Sequence, residues 1–331
     1  MNESADRAYG GARVLVAGGM GFVGSTLAER LVALGAEVRI VDSLYPEGGG
    51  AAANVAALRE RVRIEEADLR DGPRVAPLVA GCRYVFNLAG RSSHMGSVAD
   101  PAGDLGANAV AALALLELCR AHAPDAAIVY AGTRQVYGAP DRVPVDESHP
   151  LRPPDPNAVA KMAGEAYHLL YHRIHGMRAL SLRLTNVYGP RMRVKDGRQS
   201  FLGLWIRRVI EGDPIELWGG AQRRDLTYVD DVADAFLRAA ASPETAGRAL
   251  NVGGAPAVSL ADLAQMLVAA NGGGRIAVAE FPPDRRAIDI GDYETDDRLF
   301  RRLTGWTPRV SLADGLARTL EFFRARRAEY F

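Results

Sequence analysis

The sequence predicts an α/β fold built on a doubly wound parallel sheet, and three observations carry that expectation. Short β-branched runs alternate with longer helical patterns through the first half of the chain, the order that yields a parallel sheet covered on both faces. The first run leads into a glycine-rich turn, Gly18-Gly19-Met20-Gly21-Phe22-Val23-Gly24, which opens a helix. The second run ends at an acidic residue, Asp42, 18 positions past Gly24.

The elements follow in order. Residues 13–17, 37–41, 62–65, 84–88, 127–131 and 180–184 read as buried strands. Residues 22–34, 104–122 and 158–175 read as helices, with Gly35 and Gly176 where C-terminal caps belong. Residues 46–57 form a Gly/Ala-rich connection entering a short helix. Beyond Tyr188 the pattern is less regular: helices over 201–211 and 230–241, a strand over 249–252 and a final amphipathic helix over 312–327. The expected division is a dinucleotide-binding domain over 11–185 and a smaller, mostly C-terminal α/β domain over 186–331. Residues of about 225–255 return to pack on the first domain.

A chain of 331 residues suits one large α/β domain or two sharing a core. Lys plus Arg and Asp plus Glu are both 40, so no general attraction to nucleic acid or to acidic membranes is expected. No apolar run reads as long enough to span a bilayer, and the polar start MNESADRAYGGAR has no signal-like apolar stretch. Cys82 and Cys119 fit no metal or CxxC spacing. The expected location is therefore a reducing cytoplasm. His168, His172 and His175 share one helix face, but no HExxH or carboxylate cluster accompanies them, and no metal is expected.

The chemistry begins at the glycine turn. Gly18, Gly21 and Gly24 follow a strand and precede a helix. Glycine lets the backbone approach a pyrophosphate, and the helix N-terminus offers unpaired N–H groups and the positive end of a dipole. A carboxylate at Asp42 accepts the adenosine ribose hydroxyls and repels a 2′-phosphate, and the next residues, Ser43 and Leu44, are not basic. NAD is thus expected over NADP.

These residues and several later stretches resemble the extended short-chain dehydrogenase/reductase family of Rossmann-fold, NAD-dependent nucleotide-sugar epimerases (UDP-glucose 4-epimerase-like), 4,6-dehydratases and decarboxylases. The similarity runs from about Arg13 to Phe323. Gly18 to Gly24, with Phe22 and Val23, is similar to the family's cofactor turn; Asp68-Leu69 resembles its adenine-contacting pair, and Leu88-Ala89-Gly90 the strand end beneath the cofactor. Asn108 resembles a structural Asn of the long helix, and Thr133, in YAGTRQVYG, falls at the catalytic Ser/Thr position; Tyr137 there resembles a packing residue. Asn186, in RLTNVYGP, resembles a contact to the sugar diphosphate. Arg224, in QRRDLTYVDD, and Arg286 resemble phosphate-binding arginines. Leu303–Leu316 resembles the common ending. The resemblance implies NAD, a nucleotide-diphosphate sugar (UDP-linked) as substrate, and a homodimer through helices 104–120 and 158–175.

The sequence also departs from the pattern. The family's Tyr-x-x-x-Lys reads Asn157-Ala-Val-Ala-Lys161 here. An amide does not titrate near neutrality, so Asn157 is no general base. It either holds a sugar oxygen or caps the helix after Pro156. Arg134 and Gln135 stand where dehydratases and decarboxylases place an acid. Both are taken as substrate contacts. The missing base is sought in Lys161, in a relay through Thr133, or in His94, whose loop borders the sugar in the family. For Arg223 and Arg224 the plain alternative is an ion pair with Asp225 or Asp230. The expected activity is C4 epimerisation of a UDP-hexose through a transient 4-keto sugar. The alternatives are another nucleotide-sugar oxidoreductase, decarboxylase or dehydratase, or a non-catalytic protein binding NAD and sugar nucleotide.

Overall fold

The computed structural model describes residues 8–45, 48–197, 200–254, 256–282 and 289–331. Seven strands form the main sheet: β1 (Arg13–Ala17), β2 (Glu37–Asp42), β3 (Arg63–Glu66), β4 (Tyr84–Asn87), β5 (Ala127–Thr133), β6 (Arg178–Leu184) and β11 (Ala249–Val252). Their spatial order is β11-β6-β5-β4-β1-β2-β3, and every pairing is parallel. Val14 sits between Val38 and Tyr84, so the order reverses at β1, and a crevice opens between β1 and β4 at their carboxyl ends.

Side-chain alternation along β1 sorts the core into two layers. Val14 and Val16 join Leu27 and Leu31 of α1 (Phe22–Ala33) and Phe236 of α7 (Val229–Ala241). Leu15 and Ala17 face the other way, toward Leu115, Leu116 and Cys119 of α4 (Pro101–His122) and Tyr171 of α5 (Pro156–His175). Being buried on both sides explains why these strands read as continuous apolar runs rather than alternating ones.

A third apolar cluster, with Trp205, Leu217, Leu263, Leu316 and Phe323, lies in the C-terminal part. Small two-stranded pairings organise that part: β7 (Asn186–Tyr188) with β10 (Leu226–Tyr228), β8 (Ile215–Trp218) with β13 (Ile276–Ala279), and β9 (Arg223–Arg224) with β12 (Val258–Ser259). Residues 229–252 meanwhile contribute α7 and β11 to the main sheet's own layers.

Several expectations need correction. The long helix starts at Pro101, not at Asp104, and widens into a π turn over Gly106–Val110. By length and composition Pro101–His122 is apolar enough to cross a membrane, contrary to the expectation that no run is. Its inner face, from Ala111 to Cys119, is spent on the sheet. The helix over Gly72–Val79, the helix over Leu260–Asn271, and strands β8 and β13 were not expected from the pattern. An internal Pro77 and short exposed runs hid their periodicity.

The three histidines do not form one face of like function. His168 is fully buried, stacked on Tyr130 with ring centroids 4.6 Å apart, and its Nδ1 lies 2.7 Å from the Gly164 carbonyl. His172 Nδ1 lies 2.8 Å from the Met177 carbonyl. Burial holds His168 down at about 4 from its ordinary 6.5. Between those values the unfolded chain takes a proton that the fold refuses, so stability falls as the pH drops from about 6.5 toward 4. The loss should reach ~3 kcal/mol. Urea titrations at pH 7 and pH 4.5 should show a smaller acid-side loss for His168→Phe than for the wild type; equal losses would disprove the assignment.

Candidate functional site

Tight contacts build the crevice at the switch between β1 and β4. Gly18 has φ +75°, and a Cβ there would lie 2.8 Å from the Leu88 carbonyl and the Ala89 nitrogen. A Cβ on Gly24 would lie 2.1 Å from the Gly18 oxygen. Only glycine permits these approaches, and they leave the first turn of α1 open to a ligand. Gly90 has φ +149°, and a Cβ there would meet Asn108 Oδ1 at 2.3 Å. Asn108 is held in the π turn of α4, where its Nδ2 donates to Asp104 Oδ2 at 3.0 Å.

A cleft of about 400 Å3 runs along this seam. Gly18, Gly21, Phe22, Val23, Gly24, Asp42, Asp68, Leu69, Leu88, Ala89, Gly90 and Lys161 all line it. Asp42 Oδ2 accepts from the Met20 amide at 3.0 Å and Oδ1 from Leu44 at 2.9 Å, which ties the acidic strand end to the glycine turn. Burial raises its proton affinity against those two bonds. Asp68 is turned onto Arg70 at 2.6 Å, which lowers its pKa. The glycine turn, the carboxylate of Asp42 and the Gly90 floor fit a dinucleotide. The glycines clear backbone for a pyrophosphate, and Asp42 offers acceptors to a ribose.

Lys161 lines the same cleft. Its Nζ donates to the Ala131 carbonyl at 3.3 Å and lies 5.6 Å from the Tyr130 ring. Burial pulls its pKa down to about 8, with Asp104 opposing. Asn157 is 2% exposed, and its Nδ2 donates to the Arg91 carbonyl at 2.9 Å and Asp104 Oδ1 at 3.0 Å. It does not cap the helix. Asp155 does, accepting from the Ala158 amide at 2.8 Å, with Pro156 in the first turn. Asp-Pro ahead of a helical pattern was a legible capping signal, and it places Asn157 inside the turn, not before it.

His94 opens a short helix over His94–Ala99, and its Nδ1 lies 2.8 Å from Asp155 Oδ2, an ion-pair distance off the line of an ideal hydrogen bond. Gln135 Nε2 reaches the same carboxylate at 3.4 Å, and the Gln135 amide donates to Thr133 Oγ1 at 3.2 Å. Thr133, Gln135, Asp155 and His94 are thereby joined. Sequence reasoning missed Asp104 and Asp155, the two buried carboxylates that hold Asn157 and His94.

Farther along the strand ends, Arg134 Nη2 donates to Asn186 Oδ1 at 3.3 Å, and Asn186 Nδ2 donates to the Asp225 carbonyl at 3.1 Å. Arg224 is 6% exposed and pairs with Asp289 at 2.9 Å, not with Asp225 or Asp230. Arg223 spends its amide on Asp292 and its guanidinium on the Ala257 carbonyl. Arg286 lies outside the described residues.

The chain matches the NAD dependent epimerase/dehydratase family over residues 14–253. It belongs to that family. A UDP-glucose 4-epimerase of Mycolicibacterium smegmatis is 33% identical over 94% of this chain and 98% of its own. The structure of a UDP-glucose 4-epimerase of Thermotoga maritima with UDP-glucose is 28% identical, covers 95% of this chain and 99% of its own, and superposes with a TM-score of 0.87. A dTDP-glucose 4,6-dehydratase of Streptomyces venezuelae, with NAD bound, is 28% identical over 96% and 98% of the two chains, with a TM-score of 0.87. Epimerases and dehydratases thus stand at similar distance, and the family's NAD dependence agrees with the cleft.

The pairing of Asn157 with Asp104 generates a test. In Asn157→Asp two carboxylates would face each other where 3.0 Å now separates amide from acid, and one must keep a proton. The unfolded chain ionises both near pH 4. The variant should therefore lose stability as pH rises from 4 to 7, by about 2 kcal/mol or more, relative to wild type in chemical denaturation. A parallel pH dependence would contradict the contact.

Proposed function

We propose that this protein is an NAD-dependent nucleotide-sugar epimerase acting at C4 of a UDP-hexose through a transient 4-keto sugar. The observation that supports it most is one cleft lined by the glycine turn, Asp42 and Lys161 together. Thr133 ends β5, Asn186 opens β7 and Arg224 ends β9.

Bound NAD supplies a reversible hydride acceptor. The chain's own residues do the rest. The open N-terminus of α1 and the glycine turn receive the pyrophosphate, and Asp42 receives the adenosine ribose. Lys161 orients the second ribose and, with its pKa near 8, exchanges a proton with the sugar hydroxyl. Thr133 polarises the reacting oxygen. Asn157 contributes by anchoring the turn beside that oxygen, because its amide hydrogens are committed to Arg91 and Asp104. Arg224, with Arg286, holds the diphosphate.

Dehydration across C5–C6 is disfavoured by Arg134 and Gln135, which replace the acid that such elimination needs. Leu105, Val110 and Val159, each more than 45% exposed on α4 and α5, support the homodimer through those helices.

With purified protein and NAD, UDP-glucose should give the C4-inverted sugar by NMR with no net NADH absorbance. Stoichiometric NADH would instead mark a dehydrogenase, and binding without turnover a non-catalytic protein. Asp42→Arg should weaken NAD ~100-fold or more by calorimetry, since two charge-assisted hydrogen bonds of about 1.5–3 kcal/mol each are replaced by a cation. Unchanged affinity, in a variant with wild-type melting, would refute the role of Asp42.

A further inference from the structure

The described part of the molecule contains several guanidiniums drawn into the protein, and most have a carboxylate against them. Arg183 meets Glu165 at 2.6 Å, Arg224 meets Asp289 at 2.9 Å, and Arg238 meets Asp234 at 2.7 Å. That is the ordinary solution to burying a positive charge, because an uncompensated one costs several kcal/mol.

Arg134 departs from it. Among the described residues no carboxylate oxygen lies within ion-pair distance of its guanidinium. The group lies over the Tyr293 ring, 4.7 Å from its centroid, and Nη2 donates to a neutral amide, Asn186. Nη1 is buried and has no hydrogen-bond partner among the described residues. The acid closest in character, Asp225, is fully buried and already engaged by the Thr185 hydroxyl at 2.5 Å and the Thr295 amide at 3.1 Å. Arg224 adds a second positive charge nearby, and together with burial it brings Arg134 down to about 10. Even so, Arg134 stays charged at neutral pH.

The arginine is also rigidly placed. The turn that carries it, Arg134–Tyr137, is anchored by Tyr137, whose hydroxyl accepts from Arg183 and donates to Asn251, each at 2.7 Å. The residue itself is partly exposed, so a ligand can reach it. It follows Thr133 directly, and Ala131 and Val187, which flank this cluster in the chain, line the cleft.

We infer that Arg134 is a specificity residue for a carboxylate carried by the sugar ring, so that the preferred substrate is a nucleotide-linked hexuronate rather than a neutral hexose. The inference rests on the nucleotide-sugar reading given above and narrows its substrate. A sugar carboxylate seated against the exposed part of the guanidinium would give Arg134 the partner that the other buried arginines find within the chain. The diphosphate is the other source of an oxyanion, and Arg224, assigned to it above, already holds Asp289. Arg134 also bonds Asn186, so what sets it apart is its position directly after Thr133.

Calorimetric titration of the NAD-loaded protein with UDP, UDP-glucose and UDP-glucuronate decides between these. The wild type should bind UDP-glucuronate ~10-fold or more tighter than UDP-glucose. Arg134→Gln should abolish that preference while leaving UDP and UDP-glucose within about twofold of wild type. Equal wild-type affinity for the two sugars overturns the inference without recourse to any variant. So does an Arg134→Gln protein, melting as the wild type does, that weakens all three ligands alike, since Arg134 would then serve the diphosphate. If UDP itself fails to bind the wild type, the nucleotide-sugar reading falls, and this inference falls with it.

Discussion

The site depends on a steric constraint, the contact of backbone with backbone at Gly18 and Gly24. With 2.1 Å from the Gly18 oxygen to a hypothetical Cβ on residue 24, no other side chain fits. This closeness sets the entry angle of α1 and leaves its first turn uncovered. The same turn is bonded to Asp42 through the Met20 amide, and Gly18 presses on the end of β4 at Leu88. Three strand ends are thus fixed against one another without a bulky side chain, and a cleft remains where the sheet order reverses. An enlarged residue at either glycine would move the seam as a whole, because the sheet behind it is packed on both faces and yields little.

The surroundings of Asn157 and His94 are organised differently, by buried polar groups. Asp104 and Asp155 are 1% and 5% exposed, and each holds a residue that sequence alone would assign to chemistry. Asp104 receives Asn157 and Asn108, linking the start of α5 to the π turn of α4. Asp155 caps α5 and faces His94 and Gln135. Partnered carboxylates of this kind fix geometry more than they add stability. Asn157 is committed to the Arg91 carbonyl and the Asp104 carboxylate, and Lys161, one turn farther along the same helix, lines the cleft.

Behind that shell lies a buried ion pair, Arg183 with Glu165, in which Glu165 also accepts from the Ser181 hydroxyl at 2.9 Å and Arg183 donates to the Tyr137 hydroxyl. It joins β6 to α5 and steadies the turn after β5. Thr133, Arg134 and Gln135 all sit on that turn. The pair is well partnered, the condition under which a buried charge is retained at little cost, and Arg134, three residues before Tyr137, contrasts with it.

The sequence by itself determined the layered α/β class, the switch-point glycines and the acidic end of β2. Each of these is a local rule: strand periodicity, a turn only glycine can make, and a carboxylate at a fixed distance from it. It also determined that Asn157 and Lys161 would stand four positions apart on α5. Local patterns failed where partners come from afar. The π turn around Asn108, the commitment of Asn157 to Asp104 across 53 positions, and the choice of Asp289 rather than a neighbouring acid by Arg224 were decided by tertiary structure alone. A buried polar group takes whichever acceptor the packed chain brings within 3 Å, and that distance is not written in sequence spacing.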